Sequence, residues 1–172
     1  MGSHQPKLSR EAIITGGLGA GAVAVWFLVR DAALGLPGRT PSILGQVLLF
    51  GNQEPVVDSV LLLPLIAYTI VHFASFFLVG ALLLWLVARA ETHRIFWVAL
   101  LQLVVVFEFM FLGILMMFRQ GTQGLFPAWT VLAANGLALV VMLGYALRTH
   151  PGMAVLLFRE FRDRSYIEER GS

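Results

Sequence analysis

Four uninterrupted apolar segments, at 13–29, 60–87, 95–118 and 125–147, constrain this chain more than any other feature. Each is near or above the ~20 residues that an α-helix needs to cross ~30 Å of hydrocarbon. Strands of a transmembrane barrel would instead alternate over roughly ten residues between turns. The runs here are continuous, so the expected fold is all-α and membrane-embedded, a four-transmembrane-helix bundle. Composition agrees: 58% of the 172 residues are hydrophobic and only 13% are charged, with a mean hydropathy of +0.82. Such values lie outside the usual range of soluble domains.

Orientation follows from the Lys and Arg residues on alternate sides of the spans. One side collects nine (Lys7, Arg10, Arg89, Arg94, Arg148, Arg159, Arg162, Arg164, Arg170) and the other three (Arg30, Arg39, Arg119). The positive-inside rule then places both termini in the cytoplasm. The first apolar run is too long for a signal peptide's core and lacks a clean cleavage site, so it is expected as a retained helix. MGSH at the start and Gly171-Ser172 at the end read as expression-tag residues. No cysteine is present, which excludes disulfides, thiolate zinc sites and iron–sulfur clusters. Nothing resembles a basic groove for nucleic acid.

One connection is long, from about 31 to 59. Within it TPSILGQVLLFGN carries helix signals: Thr40 as N-cap, Pro41 at the first position and Gly51-Asn52 as a stop. Ile43, Leu44, Val47 and Leu48 fall on one face, and about ten residues cannot span. A short interfacial helix in the first outer loop is expected, either capping the bundle or serving as a lid over a site. The loop acids Asp31, Glu54 and Asp58 are expected to be solvated or to cap, with Arg30 or Arg39 as ion-pair partners. The chain divides into a transmembrane domain, 1–150, and a cytoplasmic tail, 151–172. In that tail Ala154, Leu157, Phe158 and Phe161 share one face, so it reads as a C-terminal amphipathic helix.

The first span contains Gly17 and Gly21 at GxxxG spacing. Small residues let helix backbones approach where lipid already matches apolar side chains, so these two glycines predict a close helix contact, within the chain or with another subunit. The second and third spans are rich in Phe, with Phe73, Phe76, Phe77, Phe107, Phe109 and Phe111 among them. Phenylalanines there fill volume, or line a pocket for a pigment, quinone or lipid tail. Trp26, Trp85, Trp97 and Trp129 lie near span ends, where indoles favour the interface.

An ionisable side chain near the bilayer centre is costly, and Glu108 stands near the middle of the third span in VVVFEFMFLG. His72 sits at the same depth in the second span and Asn135 in the fourth. Tyr68 and Ser75 extend His72 into a stripe at i−4 and i+3. Depth thus predicts a polar layer of His72, Glu108, Asn135, Tyr68 and Ser75. The plain reading is an interhelical hydrogen-bond network that fixes register. Sharper readings make His72 and Glu108 metal or cofactor ligands, His72 an axial ligand to haem or a chlorin, or the pair a proton relay. The ligand set is thin for a metal, with neither H-E-x-x-H nor E-x-x-H present. Nucleophile elbows, phosphate loops and paired catalytic carboxylates are also missing from the sequence.

Asp31 to Pro41 (D-A-A-L-G-L-P-G-R-T-P), Tyr68 to His72 (Y-T-I-V-H), Phe107 to Phe109 (F-E-F) and Arg148 to Pro151 (R-T-H-P) together resemble small four-helix membrane proteins of bacteria. That resemblance implies a bacterial inner (cytoplasmic) membrane and carries no catalytic assignment. The expected role is an accessory or assembly subunit of a larger membrane complex, acting through helix packing with other membrane subunits or further copies of itself. The alternative is an intramembrane His/Glu site that binds a metal, haem, chlorin or quinone, or relays protons.

Overall fold

The computed structural model describes residues 5–90 and 127–150, together with helical positions Ala99, Gln102, Leu103, Val105, Val106, Phe109, Gly113 and Met116. Glu108, most of the third expected span and the expected C-terminal helix lie outside the described residues. Every regular element among those residues is helical: α1 (Gln5–Ala33), α2 (Arg39–Leu44) running into a π-helical turn (Gly45–Leu49), α3 (Leu62–Ala90) and α4 (Ala128–Thr149). Three stretches are long and apolar enough to cross a membrane, Arg10–Ala33, Leu62–Val87 and Trp129–Thr149.

α1 outruns its expected span at both ends and continues through Arg30 and Asp31. It stops where Gly35 takes a positive φ of 81°. The amide of Leu36 then donates to the Asp31 carbonyl (3.0 Å) and that of Gly35 to the Ala32 carbonyl (3.0 Å), which satisfies the helix end. α3 carries Pro64 in its first turn, where a missing N–H costs no helical bond. α4 is closed at its start by Thr130, whose hydroxyl donates to the Pro127 carbonyl at 2.7 Å. It ends at His150, immediately before Pro151, which disfavours helical backbone at the residue it follows.

α1 runs between α3 and α4, which barely meet each other. On one side of it lie Phe76, Leu83, Leu84 and Val87 of α3; on the other lie Val131, Ala134, Ala138, Met142 and Ala146 of α4. Ala20, Val23 and Phe27 of α1 join the two sets into one buried cluster, against which Ala99 and Leu103 also pack.

The close approach of α1 to α3 rests on Gly16 and Gly80. A Cβ at Gly16 would stand 2.5 Å from the Phe76 carbonyl oxygen, and one at Gly80 would stand 2.6 Å from the Gly16 nitrogen. The expected pair behaves differently. Gly17 has room for a Cβ at 3.6 Å from Phe77, and a Cβ at Gly21 would meet nothing within 4 Å among the described residues of neighbouring elements. A glycine-mediated helix contact exists, but it falls one residue from the GxxxG register. The tryptophans divide as well: Trp85 and Trp129 are exposed near helix ends, whereas Trp26 packs partly buried against the core.

Candidate functional site

The connection between α1 and α3 is built largely by polar side chains that face inward. Asp31, expected in a loop, is fully buried on α1, and both its oxygens are used by Thr40: one accepts from the Thr40 amide and the other from its hydroxyl, each at 2.6 Å. The N-cap position of α2 is Gly38, at φ 85°, with no side-chain bond of its own. Thr40 is therefore not the cap. The capping acceptor comes from the preceding helix, nine residues back, and Arg30 stands 3.6 Å from the same carboxylate. The expected acid–arginine pair is present, but inside the fold.

Ser42 and Gln46, at i,i+4 on α2 and its π turn, hold the returning chain. The Ser42 hydroxyl accepts from the Leu61 amide at 2.9 Å. The Gln46 side chain grips Val56 on both backbone groups, accepting from its amide at 2.8 Å and donating to its carbonyl at 3.2 Å. Ile43, Leu44 and Val47 are buried as the helical pattern predicts. The helix widens at Gly45, where a Cβ would collide with the Pro64 carbonyl of α3, and the Phe50 amide reaches back five residues to the Gly45 carbonyl.

Beneath this roof lies a cavity of about 230 Å³. Val23, Ala24, Phe27 and Leu28 of α1 form one wall; Leu65, Tyr68, Thr69, His72 and Phe73 of α3 form another; Gly38, Thr40, Pro41 and Leu44 close the top. His72 lies ten residues into α3, about 15 Å along its axis, so the cavity reaches from the helix end to about half of a ~30 Å hydrocarbon layer. Leu28 is half exposed on its α1 side, which leaves the wall open laterally.

Polar groups in this space are few. The His72 Nε2 donates to the Ala20 carbonyl of α1 at 3.3 Å. Its ring stacks on Tyr68, with centroids 5.8 Å apart and planes at 22°, and meets Phe76 at 4.8 Å. Thr69 donates to the Leu65 carbonyl of its own helix at 2.7 Å. The Tyr68 hydroxyl makes no hydrogen bond among the described residues, although a tyrosine in an apolar setting ordinarily finds a partner.

The expected layer is brought together only in part. Tyr68 and His72 adjoin as their spacing predicts. Ser75 turns away, exposed, with its hydroxyl bonded to the Val71 carbonyl at 2.8 Å. Asn135 is buried on α4 and does not line the cavity. Glu108 lies outside the described residues, so its relation to His72 is not part of this geometry. Among the described residues no three His, Cys, Asp or Glu side chains gather as metal ligands. The cavity exceeds the about 150 Å³ that benzene fills but falls below the about 300 Å³ at which sites for drug-sized molecules begin. A length of hydrocarbon chain fits within it. Sequence reasoning passed over Gln46 and Ser42; their i,i+4 spacing in an otherwise apolar loop helix was the available signal.

Three helices among the described residues that are long and apolar enough to cross a membrane mark an integral membrane protein. Comparison with family models, with curated proteins and with solved structures finds no match to this chain.

Proposed function

We propose that this protein binds an amphipathic molecule drawn from the bilayer, seated between α1, α2 and α3 with a polar atom at Tyr68. The observation that carries the reading is the Tyr68 hydroxyl, a donor without a hydrogen-bond partner among the described residues on an otherwise apolar wall. The ligand would offer an acceptor there, such as a carbonyl or ether oxygen, and lay its tail against Val23, Phe27 and Phe73. Quinone and lipid both have this chemistry. With both termini in the cytoplasm, the cavity opens to the outer leaflet, and α2 serves as its roof.

A photoactivatable alkyl ester probe, whose carbonyl can accept from Tyr68, tests the reading when incorporated into proteoliposomes. Labelling is expected to map to α1 and α3 around Ala24 and Phe73. Tyr68→Phe, which removes one hydrogen bond worth about 1 kcal/mol, should weaken probe affinity about fivefold. Ala24→Trp should abolish labelling by filling the space, while Leu78→Trp, on a lipid-facing position of α3, should leave it intact. Equal labelling of wild type and Ala24→Trp would defeat the proposal.

A second reading, an accessory or assembly subunit, draws support from α4. Gly136, Val140 and Gly144 share a face at i, i+4 and i+8. No described residue lies within 4 Å of a Cβ at either glycine, and Val140 is 68% exposed. Such a face suits a neighbouring helix of another membrane subunit or a second copy. Cysteine placed at Val140 in this cysteine-free chain should then give a disulfide-linked species at native expression levels; a chain that stays monomeric there removes the support.

A further inference from the structure

The third apolar run turns an amide outward. Gln102 is helical and exposed, and its side chain has no hydrogen-bond partner among the described residues. Val106, Phe109, Gly113 and Met116 are exposed with it, while Ala99 and Leu103 pack against the core. From Gln102 to Met116 the steps are four, three, four and three residues, the spacing of a seam along which two helices pack. A Cβ at Gly113 would meet nothing within 4 Å among the described residues of neighbouring elements, so a second backbone has room to come close there.

The apolar members of this face suit lipid and a protein neighbour alike; Gln102 does not. With the run at 95–118 set across the membrane, as the sequence predicts, Gln102 lies about 10 Å from its nearer end. Reaching back to the interface is the habit of the longer Lys and Arg side chains. A carboxamide left in hydrocarbon keeps two donors and an acceptor unmatched, which is costly. Another carboxamide matches it, since each both donates and accepts. A second copy inserted in the same orientation brings its own Gln102 to the same depth, whereas an unrelated partner needs a polar group placed there separately. We infer that this face is a homodimer interface: two copies pack in parallel about a two-fold axis along the membrane normal, with the two Gln102 amides hydrogen-bonded across it. Such an interface is isologous, so each seam residue faces its own counterpart. One polar pair in an apolar seam also fixes register, because sliding either helix separates the amides.

The absence of native cysteine supplies the test. In proteoliposomes at low protein density, single cysteines at Val106 and Phe109 should form disulfide-linked dimers under mild oxidation about tenfold or more faster than one at Leu78, which is exposed on α3. Equal rates would overturn the seam. The amide pair is tested separately, by energy transfer between chains labelled at Gln53→Cys, an exposed loop position, across a lipid dilution series. Gln102→Leu should weaken dimerisation about three- to twentyfold, the range of interhelical hydrogen bonds in membranes, and Gln102→Asn, shorter but chemically alike, should retain part of the affinity. Leucine suits lipid, so the Gln102→Leu monomer should keep the wild-type melting temperature. Undiminished dimer affinity in Gln102→Leu would overturn the amide pairing. Cross-linking at Val140 that outpaces Val106 would move the contact between copies to α4 and overturn this interface, and a wild-type chain without energy transfer at any density would overturn the dimer itself.

Discussion

Leucine in place of Gly16 is expected to cost about 3 kcal/mol and to prevent α1 and α3 from closing. The reason is geometric. A Cβ there would already stand 2.5 Å from the Phe76 carbonyl oxygen and 2.7 Å from the Phe77 Cα, and neither backbone atom can move aside as a side chain can. Over-packing of a well-packed contact typically costs 1–3 kcal/mol, and backbone against backbone belongs at the upper end. Gly80→Leu should behave alike, because it faces the same crossing from the other helix. Gly21→Leu is the informative comparison. With open space among the described residues and a gain in helix propensity of up to about 1 kcal/mol, it should be neutral or mildly stabilising. Thermal unfolding of purified protein in mild detergent, read by size exclusion after heating, separates these outcomes. Loss of stability in Gly21→Leu but not Gly16→Leu would contradict the crossing described here.

That contrast also shows what a single sequence carries. Three of the four expected spans, those at 13–29, 60–87 and 125–147, were legible because lipid demands unbroken apolar runs, which need no knowledge of neighbours. The register of α1 was not. Apolar and small residues surround that helix on every side, since one neighbour packs on each flank, so no polar face marks which glycine meets which helix. The Tyr68–His72 pair was legible because i,i+4 contacts are intrinsic to helices. The partner of His72 was not, because a backbone carbonyl, here that of Ala20, leaves no trace in residue identity. Ser75 satisfied itself on Val71 one turn back, a local alternative always open to serine. Arg30 and Asp31 suggested a helix end, yet the helix ran on, because the group that neutralises the cost of burying Asp31 is Thr40, on a different element.

Asp31→Ala is expected to have the second-largest effect, centred on the roof of the cavity. It would strip a buried threonine of the acceptor for both its amide and its hydroxyl, at about 2–4 kcal/mol for two orphaned donors. It would also leave Arg30 without the carboxylate beside it. Asp31→Asn should lie between wild type and alanine, since the amide still accepts one bond but turns an N–H toward a donor. The measurement uses the absence of cysteine. Leu44→Cys places a thiol at a position only 4% exposed under α2, so maleimide should react slowly. Adding Asp31→Ala should raise that rate by about one and a half to three orders of magnitude, in line with the lost stability. An unchanged rate would mean that α2 is held down without the Asp31–Thr40 contact.

The polar stitching between α2 and the chain that returns from it bears on how the protein enters a membrane. Gln46 and Ser42 serve the backbone of Val56 and Leu61, residues made later than they are, and Gly45 needs the Pro64 backbone to pack against. During synthesis α1 can partition into lipid as soon as it emerges, since its backbone bonds are its own. The segment after it has no such independence. It is expected to stay at the aqueous boundary until the start of α3 arrives to complete its contacts. Biogenesis of this region is thus a two-step event, in which a completed first helix waits as an anchor for a cap that is assembled only when the second helix is delivered.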